Sequence, residues 1–172
     1  MSKDKISDHL WNQAVLAKFA GKADCQATIL EQYKLYVEMA DKISARRDVA
    51  NAFFLSINGA VLSAGPAIIE KGISFRQPYL LFFPYFVLCL ELFLWWRLII
   101  SYKQLNGAKF KIIGVLEEKL PARPYGKTEW ELLLKSGTDR RVYWPLTHIE
   151  LSLPWLFFVG YTVALFSMIF ST

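Results

Sequence analysis

The stretch Leu80-Leu-Phe-Phe-Pro-Tyr-Phe-Val-Leu-Cys-Leu-Glu-Leu-Phe-Leu-Trp-Trp-Arg97 decides the fold. Glu91 is its only charge before Arg97, and the apolar run extends from Tyr79 to Ile100. At about 1.5 Å per residue, a helix of that length crosses a hydrocarbon core roughly 30 Å thick. It is apolar on every side, a character that suits a helix surrounded by lipid or by other helices.

Two further windows share this character. Val49–Ile69 carries no charge but is rich in small and polar residues, and Leu151–Phe170 is also uncharged. Together the three windows hold most of the excess in a chain of 172 residues that is 54% hydrophobic and 16% aromatic. A soluble domain is usually about 45–50% apolar. The expected fold is an all-α membrane protein: a long antiparallel transmembrane hairpin extending into a cytosolic stalk, followed by a third, C-terminal transmembrane helix. Trp95, Trp96, Trp144 and Trp155 fall at the expected boundaries, where aromatic rings settle at headgroup depth.

The net charge of +5 does not point to nucleic acid, because the basic residues are scattered among acids. Their distribution instead sets an orientation. Residues 1–48 hold eight Lys or Arg, residues 70–78 hold two, and residues 101–148 hold nine. By the positive-inside rule the N-terminus and 101–148 are cytosolic, and the short loop and C-terminus lie outside. Cys25 is expected in the cytosol and Cys89 within a span, so no disulfide is expected. The first apolar window starts only near residue 49, so no cleavable signal peptide is expected.

Outside the windows the helical pattern continues. Ile29, Tyr33, Tyr36, Ala40 and Ile43 recur at a spacing of three and four, and Glu38 precedes Lys42 by four. One helix is therefore expected from about Asp24 to about Ile69, roughly 70 Å long. After Ile100, the positions Tyr102, Leu105, Ile112, Ile113, Leu116 and Leu120 keep a stripe until Pro121 and Pro124 end it. The expected division is an amphipathic N-terminal helix within 1–23, with Trp11, Val15 and Phe19 aligned between Asp8 and Ala20. Stalk helices follow at 24–48 and 101–120, spans at 49–69, 79–100 and 151–171, and a cytosolic cap at 121–150. Within the cap, Thr128–Lys135 reads as a short helix and Gly137–Asp139 as a turn.

No arrangement of residues marks a catalytic centre or a metal site, since His9 and His148 are far apart and His148-Ile-Glu150 is too little to hold an ion. Neither catalysis nor a cofactor is expected. The candidate residues are instead polar groups at membrane depth, where an ionisable side chain is costly. Glu91 lies nine residues before Ile100 and Asn58 nine after Val49, so an antiparallel hairpin sets both at one depth, roughly 13 Å in. One reading is a structural hydrogen bond between a protonated Glu91 and Asn58 or Ser56. The other places Glu91 at a subunit interface or in a pore, where a ring of carboxylates favours cations. Small residues form two rows on the first span, Ser56-Ala60-Ala64 and Gly59-Ser63-Ala67, one able to meet the second span and the other another subunit. Gly107 and Gly114 lie seven apart and are read as a place of close helix approach. Arg46 and Arg47, with Arg97 on the second span, stand at the membrane edge as candidates for phosphate binding or gating.

The segments Ser44-Ala-Arg-Arg-Asp-Val-Ala-Asn-Ala-Phe-Phe-Leu-Ser-Ile-Asn58, Ser101-Tyr-Lys-Gln-Leu-Asn-Gly-Ala-Lys-Phe110, Leu116-Glu-Glu-Lys-Leu-Pro121 and Thr147-His-Ile-Glu150 occur in that order. Together they resemble the bacterial RipA-family octameric membrane proteins. More loosely, the Arg-Arg-x-x-Ala-Asn entry to the membrane is similar to that of two-span SLATT effector domains, from which the third span departs. The first resemblance implies an inner-membrane homo-oligomer, an octamer, tied to envelope function, with no catalytic residue to carry over. The expected partners are membrane lipids and further copies of the chain, with a cytosolic ligand or protein left open. The expected role is a membrane scaffold, the alternative a channel or membrane-permeabilising effector.

Overall fold

The structure, a computed structural model, describes residues 3–19, 21–70, 81–129, 132 and 146–170. Among them every regular element is helical: α1 (Lys3–Leu10), α2 (Gln13–Leu16), α3 (Lys22–Glu70), α4 (Phe82–Glu117), a single wide turn at Pro124–Thr128, and α5 (Leu146–Phe170). Contacts gather into two units, one from Met1–Ala45 with Lys103–Trp144 and the other from Arg46–Tyr102 with Pro145–Thr172. Among the described residues α4 and α5 are each long and apolar enough to cross a membrane.

In the first unit the start of α3 lies antiparallel to the tail of α4. Asn106 bonds Ser44 at 3.3 Å, the Lys109 ammonium sits 5.0 Å from the centre of the Tyr36 ring, and the Tyr33 hydroxyl reaches Glu117 at 3.1 Å. The apolar stripe does the burying: Ile29, Ala40 and Ile43 of α3 are buried, as are Ile113 and Leu116 of α4. Leu105 breaks the expected stripe, being exposed, while its neighbour Asn106 turns inward. Glu38 and Lys42 form the expected ion pair, at 2.7 Å. The α4 helix stops at Glu117 rather than Leu120. Three successive bonds of the tighter i−3 type, from Glu118, Lys119 and Leu120, narrow the chain before Pro121.

The N-terminal segment differs from the single helix expected over 8–20. Asn12 takes an extended backbone and its Oδ1 accepts from the Val15 amide at 3.3 Å, so it ends one helix and caps the next. Trp11, freed from alignment with Val15, lies against the first unit with the Lys119 ammonium 5.8 Å from its ring. The short helix expected at Thr128–Lys135 and the turn at Gly137–Asp139 fall largely or wholly outside the described residues.

The second unit is a three-helix bundle. Its core is Leu92, Trp95 and Ile99 of α4 with Tyr161 of α5, against which Phe54 and Val61 of α3 and Phe157 and Phe158 of α5 pack. Trp95 is fully buried and stacks on Phe54 at 5.5 Å, so this indole sits inside the bundle rather than on its surface. Helix α4 runs antiparallel to both neighbours. Helix α5 begins at Leu146, five residues before the expected span, and contains Pro154, which has no N–H to return to the Glu150 carbonyl.

Candidate functional site

Asn58 is fully buried at the point where α3, α4 and α5 meet. Its amide nitrogen carries two protons and uses both, donating to the Phe54 carbonyl at 2.8 Å and to Glu91 Oε1 at 3.1 Å. Its amide oxygen accepts from the Tyr161 hydroxyl at 2.7 Å. Exchanging oxygen and nitrogen would set two oxygens face to face at Phe54, so the network itself fixes the amide. One side chain thus joins three helices. Glu91 Oε2 is also buried but has no hydrogen-bond partner.

Two more hydrogen bonds reinforce the bundle at other heights. Trp95 Nε1 donates to Asn51 Oδ1 at 2.9 Å. The Thr162 hydroxyl donates its proton to the Phe158 carbonyl at 2.7 Å, so the Tyr85 hydroxyl, 2.9 Å from Thr162 Oγ1, is the donor of that pair.

At the end of the bundle formed by Arg47 and Glu150, an ion pair links α3 to α5. Arg47 Nε lies 3.5 Å from Glu150 Oε1, with side chains only 15% and 10% exposed. Neither Arg47 Nε nor Glu150 Oε2 has a hydrogen bond, so this contact is chiefly Coulombic.

In the first unit Glu117 is fully buried, and its Oε1 accepts from the Tyr33 hydroxyl and the Tyr125 amide, each at 3.1 Å. Burial, then the bond to Glu117, pushes the Tyr33 phenol up to about 12. The exposed Glu38 carboxyl is held below its ordinary value by its hydrogen bond to Lys42 and then by that ammonium's charge. Among the described residues no group of three or more His, Cys, Asp or Glu could hold a metal ion.

The candidates named from sequence separate cleanly. Glu91 and Asn58 are bonded to each other, but Ser56 is not part of the contact: it is exposed and returns its hydroxyl to the Ala52 carbonyl at 2.7 Å. Arg46 and Arg97 are exposed, whereas Arg47 turns inward to Glu150. Among the described residues neither small-residue row turns toward α4. The row that does is Asn51-Phe54-Asn58-Val61, and Gly59, Ala60, Ser63 and Ala64 are all exposed, with open space where a Cβ on Gly59 would lie. Ala67 has no described side-chain environment. Gly107 is likewise open, and Gly114 is buried. Sequence reasoning missed Tyr161 and the pairing of Glu150. A tyrosine in the middle of an uncharged span was the available signal for the first.

A model of the octameric membrane protein family (8xMP) matches residues 30–170. No curated protein and no solved structure matches the chain.

Proposed function

Since the chain belongs to the octameric membrane protein family, we propose that it is a non-enzymatic homo-octamer of the bacterial inner membrane that acts as a scaffold. In this reading the parts of the second unit contributed by α3, α4 and α5 are three spans. The first unit lies in the cytosol with the N-terminus, and the C-terminus is periplasmic, as the distribution of lysine and arginine favours.

The inward placement of Glu91 supports a scaffold over a conduit. One carboxylate oxygen is held by Asn58 of the same chain and the other is buried without a partner. A carboxylate that selects cations has to present oxygen to the ion path. The polar groups at membrane depth serve instead to join helices within one copy.

The test is reconstitution of the full chain into vesicles of anionic phospholipid, with native mass spectrometry of the same preparation. Eight copies and vesicles that stay sealed to potassium, for the natural chain and for Glu91→Gln alike, are the expected results. Potassium flux that Glu91→Gln alters would overturn the scaffold in favour of a channel.

A further inference from the structure

The second unit presents two unlike surfaces. On one, α4 and α5 part to leave a wholly apolar groove of about 380 Å³, lined by Cys89, Phe93 and Trp96 on one side and by Pro154, Trp155 and Phe158 on the other. On the other, the turns of α3 from Ser56 to Ala64 are smooth, with the exposed Phe53 and Val49 continuing the same face toward the helix's earlier turns. At about 100° per residue, Ser56, Ala60 and Ser63 point about 140–200° away from Asn58. All three are exposed, and both serine hydroxyls are already spent on α3's own carbonyls.

These surfaces lie on opposite sides of the bundle. Each of α3, α4 and α5 touches the other two, through Asn58–Glu91, Asn58–Tyr161 and Tyr85–Thr162. In such a triangle the outer groove between α4 and α5 faces away from α3. The two surfaces also overlap in height. The Asn58–Glu91 contact in an antiparallel pair brings Ala60 level with Cys89, a residue of the groove.

We propose that copies join head to tail, the small-residue face of α3 on one copy closing over the α4–α5 groove of the next. The inference rests on the homo-oligomeric reading above. Copies that enter a bilayer in one orientation are related only by an axis along its normal, so eight of them close as a cyclic ring. Such a ring needs two different, mutually complementary faces on every copy. A groove walled by aromatic rings and the bulk-free turns from Ser56 to Ala64 are complementary, and small side chains let backbones approach where lipid supplies no hydrophobic drive.

The test uses the native Cys89 thiol. In a Cys25→Ala background, Ala60→Cys is oxidised in membranes and the products are separated by size under denaturing conditions. A ladder from dimer upward to octamer is expected, lost when Cys89→Ala is added. Dimers alone that survive Cys89→Ala would overturn the proposal, because α3 would then face α3. No cross-link in a preparation that native mass spectrometry shows to be octameric would overturn it too, leaving the groove to lipid chains and the octamer intact. A particle with one copy would instead remove the reading on which the proposal rests. As a second measure, Ala60→Trp should lower the octamer fraction at least tenfold while the helical circular dichroism of the solubilised chain is unchanged. An octamer fraction unmoved by Ala60→Trp would also count against the interface.

Discussion

The Tyr161 hydroxyl donates to the amide oxygen of Asn58 at 2.7 Å, and that same amide gives its two protons to Phe54 and Glu91. The third helix is therefore tied to the first at an amide oxygen that no other described donor serves, besides the Tyr85–Thr162 bond that ties it to the second. Tyr161→Phe leaves a buried oxygen bare. The expected loss is about 1 kcal/mol, since hydrogen bonds between helices in lipid contribute roughly 0.6 on average and up to about 1.7. Thermal unfolding in detergent measures it, and a cycle with Asn58→Ala should return most of that value as coupling.

Arg47→Ala should cost more, about 3 kcal/mol, because it strands the Glu150 carboxylate, whose side chain is only 10% exposed. Replacing both partners, Arg47→Met with Glu150→Leu, should restore most of the loss, as apolar pairs often match buried ion pairs. Equal losses for the single and double variants would show that the ion pair is not what holds α5 at that end.

This pair also shows what could be read from the chain alone. The shared depth of Glu91 and Asn58 followed from helix rise and antiparallel direction, both of which are local arithmetic. Ser56 did not follow, because two residues along a helix turn a side chain by about 200°, so equal depth says nothing of facing. Arg46 and Arg47 carry one signal in sequence, yet only one turns toward α5. That choice depends on where α5 lies, which periodicity does not encode. The stripe Ile29-Tyr33-Tyr36-Ala40-Ile43 was legible for the opposite reason: one face of one helix is a property of that helix alone. Asn12 is hidden as a cap because Trp11, Val15 and Phe19 keep a helical spacing of four straight past it.

Tyr33 predicts a pH effect. Its phenol is raised to about 12 in the folded chain, so the folded state holds this proton more tightly than the unfolded state. Stability from this group is complete below about pH 10, the ordinary value, and is lost as pH rises through about 12. Unfolding midpoints taken across that window should fall less steeply for Tyr33→Phe. Parallel curves would count against the Tyr33–Glu117 bond.

Trp95→Phe should lower stability by about 1–3 kcal/mol, since Asn51 Oδ1 loses the indole donor 2.9 Å away while the stack on Phe54 is largely kept. Adding Asn51→Leu should recover part of the loss; chemical denaturation of the two variants decides.

Asn58 and the hydroxyl it bonds are 103 residues apart. During synthesis the amide reaches the bilayer long before its donor has left the ribosome, and the α4–α5 groove has only one of its walls. A nascent chain thus has no closed core, and on the head-to-tail arrangement proposed above it has no finished mating surface until the last helix has been translated.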